Sequence, residues 1–225
     1  MKNIWYLIAS IVLIIFGGLL VYEGWSVISR FFDRIVRYQW IGVGILGYAV
    51  FHHFVSKNRD FLETFSHELT HGVVALLFLR EITSFQANKN NGVIWTRGKR
   101  WTQTFVSLAP YCLPIFTYIM LLLWSLVATR SLVATGALLP LDIIVGVTIA
   151  FHFFCFKSQT GSYQTDINQF PLWFSYIYIW VFRLFNVLVI LLCYMPDRAT
   201  GHPLKLWGAI WYLVVHLWKD LIAFL

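Results

Sequence analysis

Apolar residues run along this chain in seven blocks separated by short polar stretches. Six of them, at 4–22, 40–55, 61–79, 105–128, 141–156 and 172–194, predict membrane-spanning helices. They are short against a rule of about twenty residues per span, though polar ends can be shared with neighbouring helices. The first block has no convincing small-residue cleavage site and more apolar segments follow, so it reads as a span and not a signal peptide. The last block, 204–225, is rich in Trp but carries His216, Lys219 and Asp220. That mixture predicts a helix lying in the interface, with a seventh span as the alternative. Between the third and fourth blocks, Ile82–Ala87 and Gly92–Thr96 flank an Asn-rich stretch at 88–91. Two short runs with β-branched and aromatic residues around such a turn predict a β-hairpin. With no internal repeat and no low-complexity linker, residues 1–225 read as one integral domain.

Composition rules out the soluble alternative. The 225 residues are 59% hydrophobic and 12% charged, with a mean hydropathy of +0.70. A soluble domain of this size would expose too much apolar surface, so the expected class is an all-α polytopic membrane protein with about six spans. Eleven Trp and eleven Tyr suit rings anchored at headgroup level. The net charge of +7 is spread over the loops, which points to anionic lipid and away from nucleic acid. Arg30, Arg34 and Arg37 fall on the same side as Arg80, Lys89, Arg97, Lys99 and Arg100 under a six-span count. The excess of basic residues on cytoplasmic loops therefore puts 80–103 in the cytoplasm and the N-terminus outside, with Lys2, Arg198 and Lys205 counting against. Cys112, Cys155 and Cys193 have no CxxC spacing and read as small hydrophobic residues.

Candidate chemistry lies in the third block, which contains His67-Glu68-Leu69-Thr70-His71. On a helix, HExxH sets two imidazoles on one face, where both can hold a single zinc ion. The glutamate between them stands beside the metal and can take a proton from a bound water. With seven His and four Glu in the chain, chance produces the pattern about 0.004 times. The competing reading, a coincidental polar cluster at a packing seam, leaves three ionisable groups in an apolar helix without a purpose.

A catalytic zinc needs a third protein ligand and an open position. The metzincin continuation HExxHxxGxxH is absent, since position 74 is Val and position 77 is Leu. A downstream glutamate ligand is excluded as well, because Glu81 is the last glutamate and too near in sequence to return to the metal. Asp142, Asp166, Asp197, Asp220 and His152 remain. Depth separates the two central aspartates: Asp142 opens the fifth span on the outer side, and Asp166 follows it on the cytoplasmic side. The stretch 157–165 is too polar for a lipid-facing helix and reads as unwound backbone lining a protein cavity. That would return Asp166 to the metal, with Asp142 as the alternative; either could instead be an N-cap. Arg183, Asn186, His52 and His53 read first as structural or interfacial, with substrate contact or metal support as their functional alternatives.

These elements together resemble the site-2 protease family of intramembrane zinc metalloproteases, the M50 class, and in particular its small variants without a PDZ domain. The family follows its HExxH helix directly with a strand-forming segment, the order seen here in 67–87. Leu108-Ala109-Pro110 stands where the family has a small-Gly-Pro element, without the glycine. Gln164-Thr165-Asp166-Ile167 stands where the family places its aspartate ligand, again without the usual glycine, while Pro140-Leu141-Asp142 copies the letters at the wrong depth. The likeness covers roughly residues 40–195. It implies a zinc endopeptidase that cuts membrane-protein substrates in or near their spans, in a bacterial inner membrane. His67, His71 and Asp166 would hold Zn²⁺ and Glu68 would carry the proton; from the residues themselves, Phe85 and Gln86 on the exposed strand edge of the hairpin, with Asn186, are the candidates for substrate contact. The rivals are a non-catalytic membrane protein of the same fold, with metal structural or absent, and a transporter or haem protein using intramembrane histidines.

Overall fold

In apolar surroundings a backbone can satisfy its N–H and C=O groups only internally, and this chain does so almost entirely with helices. The computed structural model describes residues 2–32, 38–54, 60–88, 92–127, 138–194 and 206–224. Residues 89–91, the basic residues Arg34, Arg37, Lys57, Arg59, Arg130, Arg198 and Lys205, and Asp197 lie outside them.

The helices are α1 (Lys2–Phe32), α2 (Gln39–Phe54), α3 (Asp60–Leu77), α4 (Gln103–Leu108), α5 (Ile115–Val127), α6 (Leu139–Gln159), α7 (Thr165–Asn168), α8 (Leu172–Cys193) and α9 (Leu206–Phe224). Strands β1 (Glu81–Ala87) and β2 (Gly92–Arg97) pair antiparallel between α3 and α4. Ile4–Phe32, Leu139–Gln159 and Leu172–Cys193 are long and apolar enough to cross a membrane, consistent with a membrane protein. Many of the large apolar side chains of α1, Trp5, Val12 and Trp25 among them, are exposed.

The 105–128 block is not the single helix expected from its hydropathy. Arg100–Tyr111 and Ile115–Val127 meet at an 84° bend. Pro110 and Pro114 account for the break, since neither can donate a helical hydrogen bond. Buried and half-buried polar residues take up the freed backbone groups. The Phe116 N–H donates to His152 Nε2 at 3.1 Å, Arg183 Nε donates to the Tyr111 carbonyl at 2.7 Å, and Asn186 Nδ2 donates to the Cys112 carbonyl at 3.0 Å. His152, Arg183 and Asn186 thus stabilise the bend.

The helices pack where small residues let backbones approach. A Cβ at Gly44 on α2 would lie 2.1 Å from the Ile143 carbonyl oxygen, and one at Gly146 on α6 would lie 2.1 Å from that of Ile41. This close crossing is a small-residue contact of the kind that holds helices together in lipid. Gly146→Leu is expected to cost at least about 1–3 kcal/mol, because no side-chain movement relieves a clash with backbone. Gly42, which has open space around it, supplies the control. Thermal melting in detergent should show a clear loss for Gly146→Leu and almost none for Gly42→Leu.

Candidate metal centre

Two local features deliver α3 and the hairpin to one place. Helix α3 ends in a Schellman motif, with Arg80 N–H donating to the Ala75 carbonyl at 2.9 Å and Leu79 N–H to that of Leu76 at 2.9 Å. Leu79 holds the left-handed conformation there, at φ 53°, where glycine is usual. The chain therefore turns straight from the HExxH helix into β1. A bulge at Thr83 then twists the hairpin, and its inward residues Ile82 and Ile94 close over Gly72 of α3.

Beside this assembly His67, His71 and Asp166 meet, His71 buried and the other two half-buried. Their ligand atoms all lie within 4.8 Å of one another. Asp166 Oδ2 stands 3.3 Å from His71 Nε2 and 3.6 Å from His67 Nε2. Ligands of a tetrahedral metal ion at bond lengths of about 2 Å are about 3.3 Å apart, so the two aspartate–histidine separations suit a shared metal ion. Asp142, the alternative ligand, is at the far end of α6, where its Oδ1 accepts from Trp124 Nε1 at 2.9 Å. The helix from Asp142 to Gln159 covers about 25 Å.

The outward nitrogens of both histidines are fixed by partners. His71 Nδ1 is 2.7 Å from the Val106 carbonyl, which can only accept, so Nδ1 carries the proton and Nε2 keeps its lone pair. His67 Nδ1 is 3.1 Å from Gln159 Oε1, while Gln159 Nε2 donates to the Glu63 carbonyl at 3.3 Å. That second bond orients the amide and gives His67 the same tautomer. Such outer partners orient metal-binding histidines and raise their basicity. Asp166 lies outside the three candidate spans. Burial works against its ionisation, but when His67 and His71 also carry Nε2 protons their hydrogen bonds and charge outweigh this and hold its carboxyl below the ordinary range.

Glu68 is buried, at 7% exposure, and β2 begins directly against it. A Cβ at position 92 would fall 2.5 Å from Glu68 Oε1, so only glycine permits this approach. The Tyr111 ring stands edge-on to His67 at 5.2 Å, and its fully buried hydroxyl lies towards Asp166. This hydroxyl is within electrostatic reach of Asp166 and Glu68. Two imidazoles and a carboxylate brought together in this way are a donor set that suits a metal ion.

A cavity of about 410 Å³ opens over the site between Glu68, His71 and Asp166 on one side and β2 on the other. Its hairpin wall is β2, from Gly92 to Thr96. Phe85 and Gln86 on β1 are exposed and do not line it, and Asn186 is occupied at the helix break, where it also accepts from the Tyr118 hydroxyl. Arg183 does not reach Asp166 and bonds Tyr111, Phe156 and Thr160 instead. The stretch expected to be wholly unwound is so only from Thr160 to Gln164; α6 continues through Lys157 and Ser158 to Gln159. That last turn supplies the His67 partner. Sequence reasoning missed Gln159, the Val106 carbonyl and Tyr111. Only Gln159 left a signal, as an amide at the end of an apolar helix.

No family model, curated protein or solved structure matches this chain.

Proposed function

We propose that this protein is a membrane-embedded zinc endopeptidase of the site-2 protease type, cutting peptide bonds in or near the spans of membrane proteins. The observation that carries the reading is the convergence of His67, His71 and Asp166 beside a buried Glu68, under a hairpin strand that walls the cavity. The proposed topology has about six spans, with the broken helix, α2 and α3 as the irregular ones and 80–103 on the cytoplasmic side of a bacterial inner membrane.

Bound by these three residues, zinc would lower the pKa of a water molecule from about 15.7 towards about 7 and polarise a peptide carbonyl. The protein's own groups do the rest. His71 and His67 present Nε2 lone pairs because Val106 and Gln159 hold their Nδ1 protons. Glu68 takes the proton of the attacking water and returns it to the leaving amine. An extended substrate segment pairing with the hairpin would expose backbone carbonyls to the cavity, which a helical segment would not. The intact Glu68 favours this over a purely structural metal site, which needs no proton carrier.

The test is cleavage of a single-span reporter in proteoliposomes. Cleavage should stop with a zinc chelator and return when zinc is added back. Cleavage indifferent to the chelator would refute the reading.

A further inference from the structure

Asp166 uses its two oxygens differently. Oδ2 faces both histidines, and Oδ1 accepts from Gln169 Nε2 at 3.2 Å. Gln169 Oε1 in turn accepts from Gln103 Nε2 at 3.4 Å and from the Ser107 hydroxyl at 3.3 Å. Gln103 Oε1 accepts from Arg80 Nη2 at 2.8 Å. Arg80 is buried, and among the described residues no carboxylate lies within ion-pair range of it. Its remaining donors clamp the base of the hairpin. Nε donates to the Thr96 hydroxyl at 3.1 Å, and Nη1 to the Thr102 hydroxyl at 2.8 Å and the Lys99 carbonyl at 3.0 Å.

The two ends of this chain dictate everything between them. A guanidinium can only donate, so Gln103 must turn its oxygen to Arg80 and its NH₂ to Gln169. A carboxylate can only accept, so Gln169 must turn its NH₂ to Asp166 and its oxygen to Gln103. Both requirements agree, and both amide dipoles point the same way, from cation to anion. Reversing either amide would set donor against donor at one end and acceptor against acceptor at the other. Aligned bonds of this kind polarise one another, and the low dielectric around buried Arg80 strengthens the first link.

We infer that Arg80, Gln103 and Gln169 are positioning residues that couple hairpin docking to the metal ligand Asp166. The inference rests on the metal reading above and extends it: the guanidinium that fastens the hairpin also fixes the carboxylate at the far end of the chain. Distortion at the hairpin base would therefore be felt at the metal. Gln169 is exposed to the cavity, which places the effect near the lower end of the 10–100-fold expected when an outer hydrogen-bond partner of a metal ligand is lost.

The test is zinc affinity of the full-length protein in detergent, read by competition with a chromophoric chelator and by the ligand-field bands of the cobalt-substituted form. Gln169→Leu and Gln103→Leu should each weaken zinc by about 10-fold and shift the cobalt bands. Arg80→Gln should weaken it similarly in the wild-type background and by less than about twofold in the Gln103→Leu background, since the link is already cut. Gln103→Leu with wild-type affinity and bands would overturn the coupling. So would an equal Arg80→Gln effect in both backgrounds, which would mean that Arg80 acts through the hairpin alone. Should Arg80→Gln fail to fold, the two glutamine variants decide the matter. A wild-type protein that binds no zinc would remove the metal reading itself; one that binds it, with variants that bind equally well, removes only the coupling.

Discussion

Replacing Glu68 with Gln should cut reporter cleavage by about 10²–10⁴-fold while leaving the zinc content unchanged. Gln keeps the size and shape of Glu but cannot carry a proton at neutral pH. Steric change is a poor alternative explanation here, because Glu68 is buried against Gly92 and an isosteric side chain fits the same space. The expected loss corresponds to about 3–5 kcal/mol of transition-state stabilisation, at 1.36 kcal/mol per tenfold. Metal should stay bound, since the donor set of His67, His71 and Asp166 does not include Glu68. A second variant separates geometry from chemistry. Gly92→Ala places a methyl 2.5 Å from Glu68 Oε1 and should displace the carboxylate without deleting it. Its cleavage rate should fall between wild type and Glu68→Gln, again with zinc retained. Normal cleavage by Glu68→Gln would take the glutamate out of the mechanism.

What could be read from the sequence follows from how local each feature is. HExxH is visible because its three ionisable residues lie within a little more than one helical turn, and the hairpin because its two strand-forming runs flank an Asn-rich stretch. Asp166 could be preferred over Asp142 on membrane depth alone, and α6 separates the two aspartates by its whole length. The helix break was hidden because the 105–128 block is uniformly apolar. Pro110 and Pro114 mark it, but the partners that make it tolerable, His152, Arg183 and Asn186, come from distant helices. Arg80 shows the same limit. In a count of loop charges it is one cytoplasmic cation, whereas in the fold it is buried with its guanidinium shared among four residues. The Val106 carbonyl that orients His71 has no sequence signature, because every residue carries a backbone carbonyl.

Comparing Asp166→Ala with Asp142→Ala should give opposite outcomes on zinc and on stability. Asp166→Ala removes the oxygen 3.3 Å from His71 Nε2 and leaves two imidazoles to hold the ion. Its zinc affinity should fall by more than the roughly 10–100-fold that loss of an outer hydrogen-bond partner costs, because a ligand itself is gone. Equilibrium dialysis should find the variant stripped of zinc at concentrations that saturate wild type. The unliganded protein should melt close to wild type. Asp166 is one-quarter exposed at its side chain, and the Gln169 amide it releases faces the cavity. Asp142→Ala removes the acceptor of the Trp124 indole, a largely buried donor, and should cost about 1–3 kcal/mol of stability with zinc fully retained. Zinc binding lost in Asp142→Ala and kept in Asp166→Ala would reverse the assignment. It would require the outer end of α6 to reach the HExxH face, and the fold puts Gln159, from the other end of that helix, against His67.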